Sequence, residues 1–415
     1  MPVRFEITSK KKGRLFLWLL FFYLGYYQVD HGILPGMEMQ SDFPNYYTSS
    51  KLLAGNSSLD SLYDNHWFNG QIKKHGMERE GKFAPFTPPT AFIMLPLVPF
   101  DPFTAKRIWM GVNIALLFGC GFLVTRMFSF SILFSMVVIL LCGRGLVNNL
   151  YLGQVYLLIA FITLLGWSFI RSNKLFAGGF SWGLAASVKI FPAIFILPFV
   201  WTRNRQVLMG FAAGLILPFM IAAILMGVSV MADYFSVLSG HLNGKIEGQS
   251  PFAYQFQSWN AFLRRLFVYD ATENPAPWIS APILFEVMRL VVFAAVVGMT
   301  ARALVQIRNH RKALSISVAL VGIAAFEILP ASASYHLILL LLPLILLYSS
   351  LENKNYKTLL LVSFGMIGFL PQWILENMPP GIGWSFSRLF LMTFFFILSL
   401  KAVQVEVEKE KQFTA

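Results

Sequence analysis

Apolar residues fill long, nearly continuous runs along this chain, broken by short polar stretches, and the runs have the length that crosses a bilayer as helix, roughly 17 to 25 residues. Read in order, they predict about twelve transmembrane helices, near residues 15–33, 88–101, 107–125, 128–146, 151–170, 175–201, 207–230, 283–305, 313–330, 334–350, 357–374 and 385–403. A closed barrel needs alternating segments of about ten residues, and these runs do not alternate. The expected fold class is an all-α integral membrane protein, a single polytopic domain over residues 1–415. Two breaks, 31–87 and 231–282, far exceed the two to eight residues that usually join bundle helices. The run at 88–101 is short for a full crossing, so two readings stay open. Either it and 175–201 both span, or 88–106 is re-entrant and 175–201 is two half-helices meeting near Pro192.

Composition agrees: 56% of the residues are hydrophobic and 13% charged, about half the charged share of a soluble domain. The net charge of +13 does not point to nucleic acid, because the bases cluster beside apolar runs: Lys10, Lys11, Lys12 and Arg14, then Arg203 and Arg205, then Arg302, Arg308, Arg311 and Lys312. That is the positive-inside pattern. It places both termini in the cytoplasm and the two long loops outside. Arg126 and the turn at 171–174 run against it in the earlier half. The run at 15–29 follows a basic start without a small-residue cleavage site, and is expected as a retained first helix rather than a signal peptide. Cys120 and Cys142 lie inside apolar runs, so neither a disulfide framework, a metal site nor a cofactor is expected.

The long loops are where chemistry is expected. The first holds Asp30, Asp42, Asp60, Asp64, three histidines and a helical-looking stretch, 46–54, that Gly55 would end. The second ends in an amphipathic segment, 259–267, with Arg264 and Arg265. Asp42, followed by Phe43-Pro44, lies just beyond the first span beside aromatics. There a carboxylate can act as general base on a sugar hydroxyl, or cap the helix that Pro44 opens. Lys189 is the only charge in 175–201. It would meet a cavity or a lipid phosphate, or snorkel to an interface. His336, after Glu327 and Pro330, can hydrogen-bond a phosphate or hydroxyl, or stay passive. Arg144, Asn148, Asn149 and Gln154, with three glycines, interrupt two apolar runs and suggest a lined cavity, though capping asparagines and a snorkelling arginine explain the same residues. There is no P-loop or G-x-G-x-x-G turn, which argues against a soluble nucleotide-sugar donor.

At these places the chain resembles glycosyltransferase family 87, polyprenyl-phosphate-mannose-dependent enzymes of the GT-C fold. The matching positions are Asp42, Tyr46, Gly55 and Leu62-Tyr63-Asp64, then Phe86-Thr87-Pro88-Pro89 and Pro96, Gly153-Gln154, Gly178 to Pro192 with Lys189, Gln257-Ser258, Arg264, and Pro330 to Pro343 around His336. Thr87 stands where the family has tyrosine, Val155 where asparagine is common, and one histidine where many relatives have two. The resemblance implies a GT-C bundle with two extracytoplasmic loops, in a bacterial cytoplasmic membrane. It further implies an inverting transfer of a hexose, mannose first, from a polyprenyl-phosphate donor to a lipid or glycan acceptor. Asp42 would be the base, Lys189, His336, Arg144 and Arg264 the donor-phosphate ligands, and Tyr46, Tyr63, Gln154 and Gln257 substrate contacts. Rival readings are a transporter or flippase for lipid-linked saccharide, which predicts broken helices in matching halves, and a polymerase of such saccharides.

Overall fold

The computed structural model describes residues 11–40, 42–55, 58–242, 250–377 and 381–414. Lys10 of the basic cluster, Ser41 and the 243–249 stretch of the second loop lie outside the described residues. Two compact units divide the chain, the first ending at His241 and the second beginning at Leu242.

The first unit opens with α1 (Lys11–Gln28), which runs on through a π-helical turn, Val29–Ile33. Then come α2 (Phe43–Ala54), α3 (Asn65–Lys74), α4 (Pro102–Phe128), α5 (Ile132–Leu140), α6 (Arg144–Leu152), α7 (Tyr156–Arg171), α8 (Leu175–Val188), α9 (Arg205–Met226) and α10 (Val228–Leu242). The second unit contains α11 (Trp259–Phe267), α12 (Pro282–Gln306), α13 (Ala313–Ile328), α14 (Leu341–Ser350), α15 (Lys354–Asn377) and α16 (Ser387–Thr414).

Among the described residues, five helices, α4, α9, α12, α15 and α16, are long and apolar enough to cross a membrane, and six spans result if α5 and α6, bent by 79°, count as one. The remaining expected spans after the first take the form of shorter apolar helices and broken segments. The long helix α12 presents apolar side chains outward, as lipid-facing helices do: Ile283, Leu290 and Phe293 are all exposed.

The stretch at 88–101 is two 3₁₀ turns, Pro88–Phe92 and Leu95–Leu97. Four prolines remove backbone donors there, and α2 satisfies the carbonyls instead: Ser50 Oγ donates to Ala91 O at 2.6 Å, Lys51 Nζ to Val98 O at 2.9 Å and the Tyr47 hydroxyl to Phe100 O at 2.7 Å. Nearly every residue of α2 from Phe43 to Leu52 is buried as a result. Residues 175–201 break as the half-helix reading expects. Lys189 is extended (φ −142°, ψ 125°), and a 3₁₀ turn, Phe191–Ile196, follows with Pro192 in its first turn. A second break, not expected, divides 334–350 into a 3₁₀ turn, Ser334–Leu340, and α14.

Close helix packing fixes α8. A Cβ on Gly179 would sit 2.1 Å from Val207 O, on Gly183 2.2 Å from Phe211 O, on Gly210 2.1 Å from Phe176 O and on Gly214 2.1 Å from Phe180 O. Paired small residues spaced four apart let the two backbones touch, and van der Waals contact does the work that hydrophobic exclusion cannot do in lipid. In the second unit the expected amphipathic segment is α11. Leu263 and Phe267 turn into a cluster with Phe285, and Ser258 caps it, accepting from Ala261 N at 3.2 Å.

Candidate active site

Asp42 does not cap α2. Its own backbone is helical (φ −90°, ψ −32°) and its carboxylate accepts no N–H of the helix. It accepts instead from Gln154, whose Nε2 lies 2.7 Å from Asp42 Oδ2. Gln154 reaches it because α6 stops at Gly153, which takes the left-handed conformation (φ 75°) that glycine adopts without strain. Asn149 then redirects the chain: its Oδ1 accepts from Tyr156 N at 3.0 Å and Leu157 N at 3.3 Å, opening α7. Of the two readings of the 143–154 segment, capping therefore holds for Asn149. The other end of the Gln154 amide accepts from the Tyr46 hydroxyl at 2.5 Å. Tyr46 stands one turn beyond Asp42, so residue and support share a face of α2.

Lys189 enters the same region from α8. Its Nζ lies 3.6 Å from the Phe86 ring centroid, 5.7 Å from that of Tyr156 and 5.8 Å from that of Tyr46. Phe86 is stacked on Tyr46 (4.7 Å, 10°), and its carbonyl accepts from the Tyr63 hydroxyl at 2.7 Å. Tyr63 thus props the ring on which the lysine rests. Thr87 has work of its own: its Oγ1 donates to Ser187 O at 2.6 Å, while Thr90 Oγ1 donates to Val188 O at 3.1 Å. Two hydroxyls hold the last carbonyls of α8 immediately before Lys189.

Removal from water raises the Asp42 pKa above its ordinary value of 3.8, although part of its surface stays open. The Gln154 hydrogen bond, then the charges of Lys189, Lys106 and Lys82, pull it back. The result is an oriented, largely buried carboxylate in a cationic setting.

A model of glycosyltransferase family 87 matches residues 84–332, more than half of the chain. The chain belongs to glycosyltransferase family 87. With its apolar helices, it is a membrane glycosyltransferase. No curated protein matches it.

The family-87 match includes Gln154, Lys189, Arg144, Gln257 and Arg264; Asp42, Tyr46 and Tyr63 precede it and His336 follows it. The structure gathers Asp42, Tyr46, Gln154 and Lys189 in one place, with Tyr63 behind them. Arg144 starts α6, a helix of nine residues, at the end opposite Gln154, and its Nε is buried without a hydrogen-bond partner among the described residues. The other candidates belong to the second unit. His336 Nδ1 accepts from Ala333 N at 3.3 Å, and its ring meets Tyr335 edge-on. The Arg264 guanidinium lies 4.8 Å from the Phe285 ring centroid. Gln257 Oε1 accepts from Arg388 N at 2.8 Å, and Gln257 N donates to Ser332 O at 3.0 Å.

Sequence reasoning missed Lys106 and Arg388. Lys106, 1% exposed, points its Nζ at Tyr151 O, 3.1 Å away. Arg388 is also buried, its Nη2 donating to Ser332 O at 2.7 Å and Gln255 O at 3.0 Å, which ties the residues before α11 to those before His336. Both sit within a turn or so of an apolar helix's start, where a snorkelling cation is ordinary; nothing local in the sequence marks either as buried.

Proposed function

We propose that this family-87 enzyme moves a hexose, mannose, from a polyprenyl-phosphate carrier to a lipid or glycan acceptor on the outer side of a bacterial cytoplasmic membrane. The observation that carries the reading is the Asp42 carboxylate, freed from capping, aimed by Gln154 and flanked by lysines. The acceptor hydroxyl gives its proton to Asp42 as its oxygen attacks the anomeric carbon from the face opposite the phosphate. The bond from that carbon to the phosphate oxygen breaks, its electron pair leaving with polyprenyl phosphate, so configuration inverts. Lys189 meets the charge that develops on the leaving oxygen, as a compact ammonium suits phosphate. Tyr46, Tyr63 and Gln154 hold or line the sugar site, and Arg144, His336, Arg264 and Gln257 are further candidates for donor or substrate contacts.

The transporter reading has one observation in its favour. Broken apolar segments occur in both units, at Lys189 and at Ser334–Leu340, and paired breaks are what a lipid-linked saccharide flippase predicts. Reconstituted protein given labelled polyprenyl-phosphate sugars separates the two. Sugar appearing on an acceptor supports the transferase; label crossing the bilayer still attached to its carrier overturns it.

A further inference from the structure

Lys106 has no assigned role, yet it is one of three lysines acting on Asp42. Near the start of α4, its long side chain could reach toward an interface, but it turns inward and is 1% exposed. Its Nζ sits at the C-terminal end of α6, 3.1 Å from Tyr151 O and 3.5 Å from Leu150 O, where the helix dipole favours a cation. Room for it exists because residue 153 is glycine: a Cβ there would lie 2.7 Å from Lys106 Nζ and 3.0 Å from Phe43 Cβ. The same ammonium stands 5.6 Å from the ring centroid of Phe43, the residue next to Asp42. It thus touches the backbone that delivers Gln154 and also the residue beside the carboxylate Gln154 holds.

We propose that Lys106 is a positioning residue for the transfer: its ammonium, tied to the carbonyls that end α6, fixes the turn that presents Gln154 and sets a positive charge beside the residue next to Asp42. This rests on the reading of Asp42 as base. The groups acting on Asp42 are Lys189 after α8, Lys82 from the first loop, Lys106 from α4 and, as hydrogen-bond donor, Gln154; the neutral Tyr46 hydroxyl binds the far end of that amide. Three cations thus bear on one carboxylate. Lys189 is placed to meet donor phosphate, so once donor binds its charge is shared with that anion, and Lys106, tied to backbone carbonyls, remains for Asp42.

The test is an infrared titration of the Asp42 carboxyl, isolated as the band lost in Asp42→Asn, run on full-length parent, Lys106→Met and Lys106→Arg beside the pH profile of sugar transfer. An opposite charge removed from a carboxylate should move the midpoint upward by about one pH unit, with transfer following it and Lys106→Arg restoring most of the shift. A helix cap alone would change yield or rate without moving the midpoint. An unmoved midpoint in monodisperse Lys106→Met overturns the proposal; where that variant does not fold, Lys106→Gln is read by the same criterion. If the midpoint moves and the acid limb of transfer does not, Lys106 still acts on Asp42 and the base reading of Asp42 fails.

Discussion

Replacing Gln154 with leucine removes an uncharged group that holds the Asp42 carboxylate. The Nε2 to Oδ2 distance of 2.7 Å marks a charge-assisted bond, and such bonds contribute about 1.5–3 kcal/mol. The bond favours the ionised carboxylate, so its loss favours the protonated one and raises the pKa, already lifted by burial. At 1.36 kcal/mol per pH unit, the midpoint should rise by about one to two units. A base must be deprotonated, so activity appears only above that midpoint: the acid limb of kcat/KM for sugar transfer should move to higher pH by the same amount. Recovery toward parent rates at alkaline pH separates this from misfolding. The folded state responds in the opposite sense. A carboxylate with raised pKa binds its proton more tightly when folded, so its contribution favours the fold at low pH and is lost as pH rises from 3.8 through the raised value. A pH profile for Gln154→Leu superimposable on the parent's, in well-folded protein, would refute the coupling of Gln154 to a catalytic Asp42.

Three further outcomes follow from other parts of the structure. Lys189→Ala should raise the KM for the lipid donor by at least about tenfold while leaving folded yield intact, because it removes a charge from apolar surroundings; unchanged donor dependence would leave Lys189 as a residue packed on Phe86. Gly183→Leu puts side-chain atoms where a Cβ alone lies 2.2 Å from Phe211 O, and overpacking of this kind costs about 1–3 kcal/mol or more; an unchanged thermal midpoint in detergent would contradict the packing of α8 on α9. A cysteine replacing exposed Asp60 should react with an impermeant thiol reagent added outside intact cells, and one replacing exposed Arg308 should not. The native Cys120 and Cys142 are buried and give little background. The reverse labelling would invert the proposed orientation.

What could be read from residues alone was governed by range. Local signals held: the amphipathic 259–267 segment is α11, Gly55 ends α2, and the lone lysine with Pro192 marks a real break. Counting apolar runs told less about crossings, because a 3₁₀ turn, a bent pair and a straight helix share one hydrophobic signature. Thus 88–101 folds as two turns pinned by α2, and the break at Ser334–Leu340 has no proline in it to announce it. Asp-x-Pro suggested a cap, yet the carboxylate turned to a glutamine 112 residues away, a tertiary partner no local pattern contains. Lys106 escaped notice for the same reason. Its place at a helix start fits an interfacial lysine, and only the packing of α6 against α4 shows that it lies inside.

The central claim is that Asp42 takes the acceptor's proton. Asn is nearly isosteric, keeps much of the local packing and cannot accept that proton, so Asp42→Asn with saturating labelled polyprenyl-phosphate sugar should lose about 10²- to 10⁴-fold in turnover while remaining monodisperse. Transfer above about one tenth of the parent rate, well outside that loss, would remove Asp42 from the catalytic role and leave Asp30, Asp60 and Asp64 as the next carboxylates to examine.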